Sequence, residues 1–400
     1  MSLLSTGIPL SLYVHIPWCV QKCPYCDFNS HELKGELEAQ QYIDNLLVDL
    51  HQDLPRIWGR SVDTIFIGGG TPSLFPSSAI DRLLSGLRAL LMLKADLEIT
   101  LESNPGTMDA DNYLGYRQAG VNRLSIGAQS FDDEQLKILG RIHDAKATEL
   151  AFHKAREAGF KRINLDLMYG LPSQSIESAM EDLRRAITLG PEHISWYQLT
   201  IEPNTRFYRY PPDALPDNDQ LFEIQEAGME LLKSEGFEQY EISAWSRPGE
   251  ACKHNLNYWQ FGDYLGIGAG AHGKITDLQT EQILRTRRRK QPQHFLDGSA
   301  NTLAETTPID LKERPIEFML NAMRLNEGVE SQLFVERTGL PLTVINSALT
   351  KAHELGLMER DFARLKPTER GINFHNELLA LFTDEHLQFK EPSIPIRQID

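Results

Sequence analysis

The sequence predicts an α/β fold: a partial (β/α)6 barrel of TIM-like form with a smaller C-terminal helical, winged-helix-like domain. Three observations carry this. From residue 11 to about 236, short β-branched runs alternate with longer amphipathic stretches, as repeated βα units around a parallel sheet require. Polar and glycine-rich segments recur where the strand candidates end, on the rim where such barrels carry their chemistry. Beyond about residue 305 the pattern becomes helical with one short β-like segment. The expected divisions are 1–236 for the barrel, 237–305 for a covering segment and linker, 306–385 for the second domain and 386–400 for a tail.

In chain order, strands are expected at 11–17, 62–68, 97–103, 123–129, 162–168 and 193–201, with helices near 37–54, 77–92, 110–119, 147–158, 175–189 and 218–235. The strand ends carry a cysteine loop, Gly68-Gly-Gly-Thr-Pro72, Glu102-Ser-Asn-Pro, Gln129-Ser, Asp166, and Tyr197 with Gln198. Any one of these would serve as a loop residue satisfying backbone groups; six on one rim point to a site. Residues 237–275 read as a covering segment containing His254-Asn-Leu-Asn-Tyr-Trp259 and the glycine-rich run 266–273. That run lacks the strand–turn–helix setting and following acid of a dinucleotide fingerprint. A basic patch, Arg285 to Lys290, then leads toward helices near 309–325, 330–337, 342–355 and 368–382.

The net charge of −16 argues against nucleic acid or anionic lipid as a partner, because both need a positive field. The N-terminal residues show no basic, apolar leader pattern, and no stretch reaches membrane-span length, so a cytoplasmic protein is expected. The winged-helix-like region holds ten Lys/Arg against fourteen Asp/Glu over 309–391, which favours a structural or protein-docking role over DNA binding.

Cys19, Cys23 and Cys26 form C-x-x-x-C-x-x-C at the end of the first strand. Three thiolates at this spacing can each hold one iron of a [4Fe–4S] cluster and leave the fourth iron open. Zinc would want a fourth closed ligand, and neither His15 nor His31 gives a familiar zinc spacing. Disulfide pairing or reduced core thiols are the remaining alternatives. The pattern resembles the radical S-adenosylmethionine (SAM) superfamily. The resemblance implies SAM on the open iron, whose reductive cleavage yields methionine and a 5′-deoxyadenosyl radical, with an electron donor needed if cleavage occurs. A bound SAM needs partners for its polar groups: Glu102 suits the ammonium, Arg141 the carboxylate, Gln129 and Asp166 the ribose, and Tyr25 the adenine.

Further segments make the resemblance specific: Tyr13-Val-His-Ile-Pro-Trp-Cys19, Cys23-Pro-Tyr-Cys26, Glu102-Ser-Asn-Pro-Gly106, Arg123 to Phe131, Leu139 to His143, and Asn164 to Pro172. Across most of the chain these resemble the oxygen-independent coproporphyrinogen III dehydrogenase family. That resemblance implies SAM binding at Tyr13, Tyr25, Gly69, Gly70, Thr71, Glu102, Gln129, Arg141 and Asp166, and a cluster on the three cysteines. Two departures point to a heme-chaperone branch. The dehydrogenase has a further cysteine where this chain has Phe28, and a long N-terminal extension where only eighteen residues precede Cys19. The branch implies heme as cargo, heme-acceptor proteins as partners, membrane contact only through such acceptors, and no coproporphyrinogen dehydrogenase activity; the alternative is the dehydrogenase itself, a radical SAM enzyme that oxidatively decarboxylates the propionates of coproporphyrinogen III. For heme, His254 is the axial candidate, with Cys252 as a second donor, Tyr258 and Trp259 as walls, and Arg287 or Arg288 near the propionates. The alternatives are that His254 packs a loop and that the arginines form a solvated face.

Overall fold

The structure, a computed structural model, describes residues 4–5, 7–107, 110–297, 302–383 and 387–389; the tail expected over 386–400 otherwise lies outside the described residues. Six strands form in chain order, β1 (Leu10–Ile16), β2 (Ser61–Gly69), β3 (Met92–Ser103), β4 (Arg123–Gln129), β5 (Ile163–Tyr169) and β6 (His193–Gln198). Each pairs in parallel with the next. The two-residue period of a strand sorts β1 cleanly. Leu10, Leu12, Val14 and Ile16 enter the main core, while Tyr13 and His15 alternate with them and line a cavity. β3 begins well before the expected residue 97 because its first residues sit at an exposed end, where no apolar alternation marks a strand.

Helices Ala39–Asp53, Ser77–Leu90, Ala110–Ala119, Ala145–Glu157, Ile176–Leu189 and Asn218–Ser234 cover the strands. Ile176–Leu189 shows the local logic. Ser175 and Ser178 form a reciprocal capping box, Ala179, Met180, Leu183 and Ala186 bury one stripe, and Gly190 ends the helix at φ 79°. A further helix, Asp133–Ile138, is too short to show periodicity in the sequence. Asp132 caps it by accepting from the backbone N–H of Glu134 and Gln135.

Residues 237–305, expected to cover the barrel and link to the second domain, enter the sheet instead. β7 (Glu238–Glu241) and β8 (Ala244–Ser246) form a hairpin whose β8 pairs antiparallel with β6. At the other edge β9 (Asp263–Ile267) pairs in parallel with β1, and β10 (His272–Asp277), β11 (Gln282–Arg288) and β12 (Leu303–Pro308) follow antiparallel. The result is a twelve-stranded sheet in the order β12-β11-β10-β9-β1-β2-β3-β4-β5-β6-β8-β7. These strands were hidden by short length, by glycines in β9 and β10, and by the charges of β11.

Asp263 opens β9 as a fully buried carboxylate. It accepts from Arg60 at 2.8 Å, Lys274 at 3.0 Å, and the N–H and hydroxyl of Thr276 at 2.9 Å each. Burial alone would raise its pKa, but Lys274 and Arg60 outweigh it and hold the carboxyl below its ordinary value.

The second unit has its own core, including Phe318, Met319, Phe334, Ile345, Leu378 and Phe382, and this core also takes in Phe261 and Ile283 from the sheet side. Helices Arg314–Ala322, Ser331–Thr338 and Asn346–Glu354 accompany a two-stranded pairing of Val329–Glu330 with Arg364–Leu365. The helix expected over 368–382 is two, Glu369–Asn373 and His375–Ala380, broken at Phe374 where ψ turns to 48°. No helix among the described residues is long and apolar enough to cross a membrane.

The basic patch is partly claimed by carboxylates, while Arg287, Arg289 and Lys290 remain exposed. Arg287 pairs with Glu305 at 2.8 Å, and Arg285 pairs with Glu317. Arg288 is 1% exposed, with Nε 2.8 Å from Asp49 and a second contact to Asp53. Arg288 is therefore a structural cation and not a propionate partner, because two buried carboxylates already claim its fork. Arg288→Met should cost about 3–5 kcal/mol by leaving those carboxylates uncompensated. Urea unfolding is the check: part of the loss should return when Asp49→Asn and Asp53→Asn are added, and an unchanged midpoint in Arg288→Met would remove the triad from the stability account.

Candidate functional site

The cysteine loop leaves β1 and is closed by its own backbone. Trp18–Cys19 pairs in parallel with His31–Glu32, and the Leu33 N–H donates to Cys19 O at 2.9 Å. Lys22 Nζ donates to Phe28 O at 2.9 Å and Ser30 O at 3.2 Å, drawing the loop together. All three cysteines are free thiols, half-buried, and line one cavity of about 470 Å³. No group of His, Cys, Asp or Glu among the described residues is gathered tightly enough for a single metal ion. Thiols spread around a cavity suit the separate corners of a polynuclear cluster better than one zinc.

The turn after β2 lies directly across this loop. Gly70 N–H donates to Ile16 O at 2.7 Å and Thr71 N–H to Trp18 O at 2.7 Å. A Cβ on Gly70 would lie 2.5 Å from Trp18 O, so only glycine permits the crossing. Gly69 has φ 119°, and its N–H donates to Glu102 Oε2 at 2.9 Å. Burial raises the Glu102 pKa to about 8, with the Gly69 N–H opposing that shift and Asp166 adding to it. Asp166, on β5, is likewise raised by burial although Ser125 and Asn164 donate to it at 2.8 and 2.9 Å. A cationic group entering between these two carboxyls would favour their ionised forms.

On the opposite wall, Arg141 donates to Gly127 O at 3.0 Å and faces Cys23 Sγ at 3.5 Å, while its buried Nε has no partner. A guanidinium nitrogen left over in a desolvated wall suits an incoming carboxylate. Gln129 ends β4 with φ 68°, an uncommon conformation for a residue with a side chain, at a register shift between β4 and β5. Tyr25, Gly69, Gly70, Thr71, Glu102, Gln129, Arg141 and Asp166 all line the same cavity as the cysteines. Tyr13 does not. It lines a second cavity of about 530 Å³ that shares Asp27, Phe28, Gly69 and Glu102 with the first.

The heme candidates separate. Tyr258 and Trp259 line the second cavity, whereas His254 and Cys252 line neither. His254 is 1% exposed, with Nδ1 2.8 Å from Thr64 Oγ1 and Nε2 3.0 Å from the Tyr258 hydroxyl. Both ring nitrogens are spent inside the protein. Cys252 is the N-cap residue of helix Lys253–Trp259, and its buried thiol donates to Glu98 at 3.6 Å. The sequence reading missed Ser125, which holds Asp166, and His272 and Tyr264, which line the second cavity. The signal lay in and just before the glycine-rich run: its strand character, once seen, places Tyr264 beside β1 and His272 on the next strand out.

A Radical SAM superfamily model matches residues 13–186, and a HemN C-terminal domain model matches residues 309–374. Barrel, cysteine loop and glycine turn together define a radical SAM protein. Over 377 residues the sequence is 52% identical to the heme chaperone HemW of Escherichia coli (strain K12), covering 94% of this chain and 99% of that protein. The chain belongs to the HemW family. Identity to the heme chaperone HemW of Bacillus subtilis is 34% over 383 residues, 94% of this chain and 99% of the relative. Among solved structures, the radical SAM enzyme coproporphyrinogen III oxidase (HemN) from Escherichia coli matches with a TM-score of 0.79 at 26% identity, over 94% of this chain and 91% of that one.

Family and donor set agree on a [4Fe–4S] cluster and SAM. Replacing Cys19, Cys23 or Cys26 singly with Ala should abolish the intact cluster after anaerobic reconstitution. Iron and sulfide analysis reads this directly, and an unchanged four-iron content in all three variants would exclude these thiols as its ligands.

Proposed function

We propose that this protein is a heme chaperone of the cytoplasm, which binds heme and passes it to acceptor proteins while carrying a SAM-coordinated [4Fe–4S] cluster. The observation that carries this reading is the identity to proteins named heme chaperone HemW over nearly the whole chain, from 52% down to 34%. Phe28 supports it, since the coproporphyrinogen dehydrogenase resemblance implies a cysteine there. When bound, cluster and SAM supply one-electron radical chemistry. Cys19, Cys23 and Cys26 would hold the cluster; Glu102 would meet the SAM ammonium and Arg141 its carboxylate. Gln129 and Asp166 would accept from the ribose, Tyr25 would flank the adenine, and Gly69, Gly70 and Thr71 would let the backbone approach the ligand. Tyr13, on the far side of Gly69 and Glu102, would bound the site from the second cavity.

Arg141→Ala and Asp166→Asn should weaken SAM binding by about 1.5–3 kcal/mol while leaving cluster content intact, because each removes a contact in a desolvated site. Calorimetry on cluster-loaded variants measures it, and wild-type affinity in both would return these residues to structural roles. For the function itself, the reconstituted wild type should bind heme on titration and form no protoporphyrinogen from coproporphyrinogen III with SAM under reducing, anaerobic conditions. Formation of protoporphyrinogen would make the protein a dehydrogenase, and absence of heme binding would end the chaperone reading.

A further inference from the structure

The second cavity lies beside the proposed cluster site, walled by β1 on one side and by β9, β10 and helix Lys253–Trp259 on the other. Its walls are largely aromatic: Tyr258, Trp259, Phe261 and Tyr264 contribute rings, with Tyr258 and Tyr264 edge to face at 4.6 Å. Phe28, 61% exposed, stands at the boundary between the two cavities. A phenyl ring that exposed forgoes its own burial energy unless something covers it.

Two histidines line this cavity, and they differ. His15 is spent, with Nδ1 3.0 Å from the Tyr13 hydroxyl and Nε2 2.9 Å from Asn29 O. His272, exposed at the start of β10 and paired in register with Arg287, has no hydrogen bond to either ring nitrogen among the described residues. Burial, Arg287, Arg285 and Lys290 all lower its pKa, which keeps the imidazole neutral and its lone pair available. The cations differ in the same way. Lys274 is bound to Asp263 and Arg285 to Glu317, whereas Lys290 Nζ has no ion pair or hydrogen bond among the described residues.

An available imidazole, aromatic faces and one unclaimed ammonium form the set that an iron porphyrin with carboxylate side chains requires. We propose that heme seats in this second cavity, with the His272 imidazole as axial ligand to its iron and the Lys290 ammonium beside a propionate. The proposal rests on the heme-chaperone reading. It replaces His254 as the axial candidate, and Tyr258 and Trp259 keep their place as walls. A single axial side chain at an exposed strand end, with one charged contact, also suits a cargo that must leave again. Phe28 would close over the porphyrin edge nearest the cysteine loop.

The test is a hemin titration of the full-length, cluster-reconstituted protein, followed by absorbance in ferric and ferrous states. His272→Ala should shift the Soret band and weaken binding roughly tenfold or more, the equivalent of at least about 1.4 kcal/mol. Added imidazole should restore the wild-type spectrum in that variant, a rescue that a merely structural role would not give. Lys290→Gln should weaken binding severalfold with an unchanged Soret band. His254→Ala, if it folds with intact cluster absorbance, should keep the wild-type Soret position. A wild-type spectrum and affinity in His272→Ala, or a His272→Ala shift that imidazole does not rescue, overturns the assignment while leaving the chaperone reading in place. Absence of heme binding by the wild type ends both.

Discussion

Burying Asp263 obliges the chain to bring Arg60, Lys274 and Thr276 to one point, because a carboxylate without such partners would not remain ionised in the core. The constraint fixes more than a local contact. Arg60 immediately precedes β2, Lys274 and Thr276 lie on β10, and the N–H of Asp263 donates to Pro9 O just before β1. Two neighbouring strands and the entries to two more are thereby tied together. β9 then lies in parallel against β1 from Leu10 to Val14, and the wall carrying Tyr264 and His272 is brought up to the cysteine strand. The second cavity exists because this carboxylate is satisfied.

The first cavity depends on a different economy of space. Backbone from Ile16 to Trp18 and backbone from Gly69 to Thr71 approach so closely that their N–H and C=O groups bond directly. Side chains are excluded from the crossing, and the cysteines, Glu102 and Asp166 are left around a shared opening. Glu102 and Asp166 sit there with pKa values raised by burial, while Arg141 waits on the other wall with a nitrogen unpartnered. The wall pairs a place for a cation with a place for an anion, the two ends of an amino acid.

Much of this was legible from residues alone. The six parallel strands announced themselves through β-branched runs bounded by turns, and the cavity residues through their position at strand ends. What stayed hidden shares a cause. β7 and β8 are too short for a period to register, and β11 buries Ile283, Thr286 and Arg288 within a run that reads as solvated charge. A buried arginine looks the same in sequence as an exposed one; only its partners, Asp49 and Asp53 far away in the chain, decide the matter. His254 shows the same limit. Its neighbours Tyr258 and Trp259 line a cavity, while His254, one turn earlier on the same helix, is closed off between Thr64 and the Tyr258 hydroxyl.

That inward histidine bears on how the protein tolerates acid. Burial drives the His254 pKa from 6.5 to about 3, so the folded chain declines a proton that the unfolded chain accepts once the medium falls below about 6.5. His193, fully buried, shifts the same way, and His143, buried behind Arg141, falls to about 4. Each of these imidazoles contributes stability at neutral pH that drains away as the solution is acidified toward its folded value. His254 packs on β2 through Thr64, and His193 on β6 bonds Asn164 on β5, so acidification weakens contacts made directly to the barrel strands.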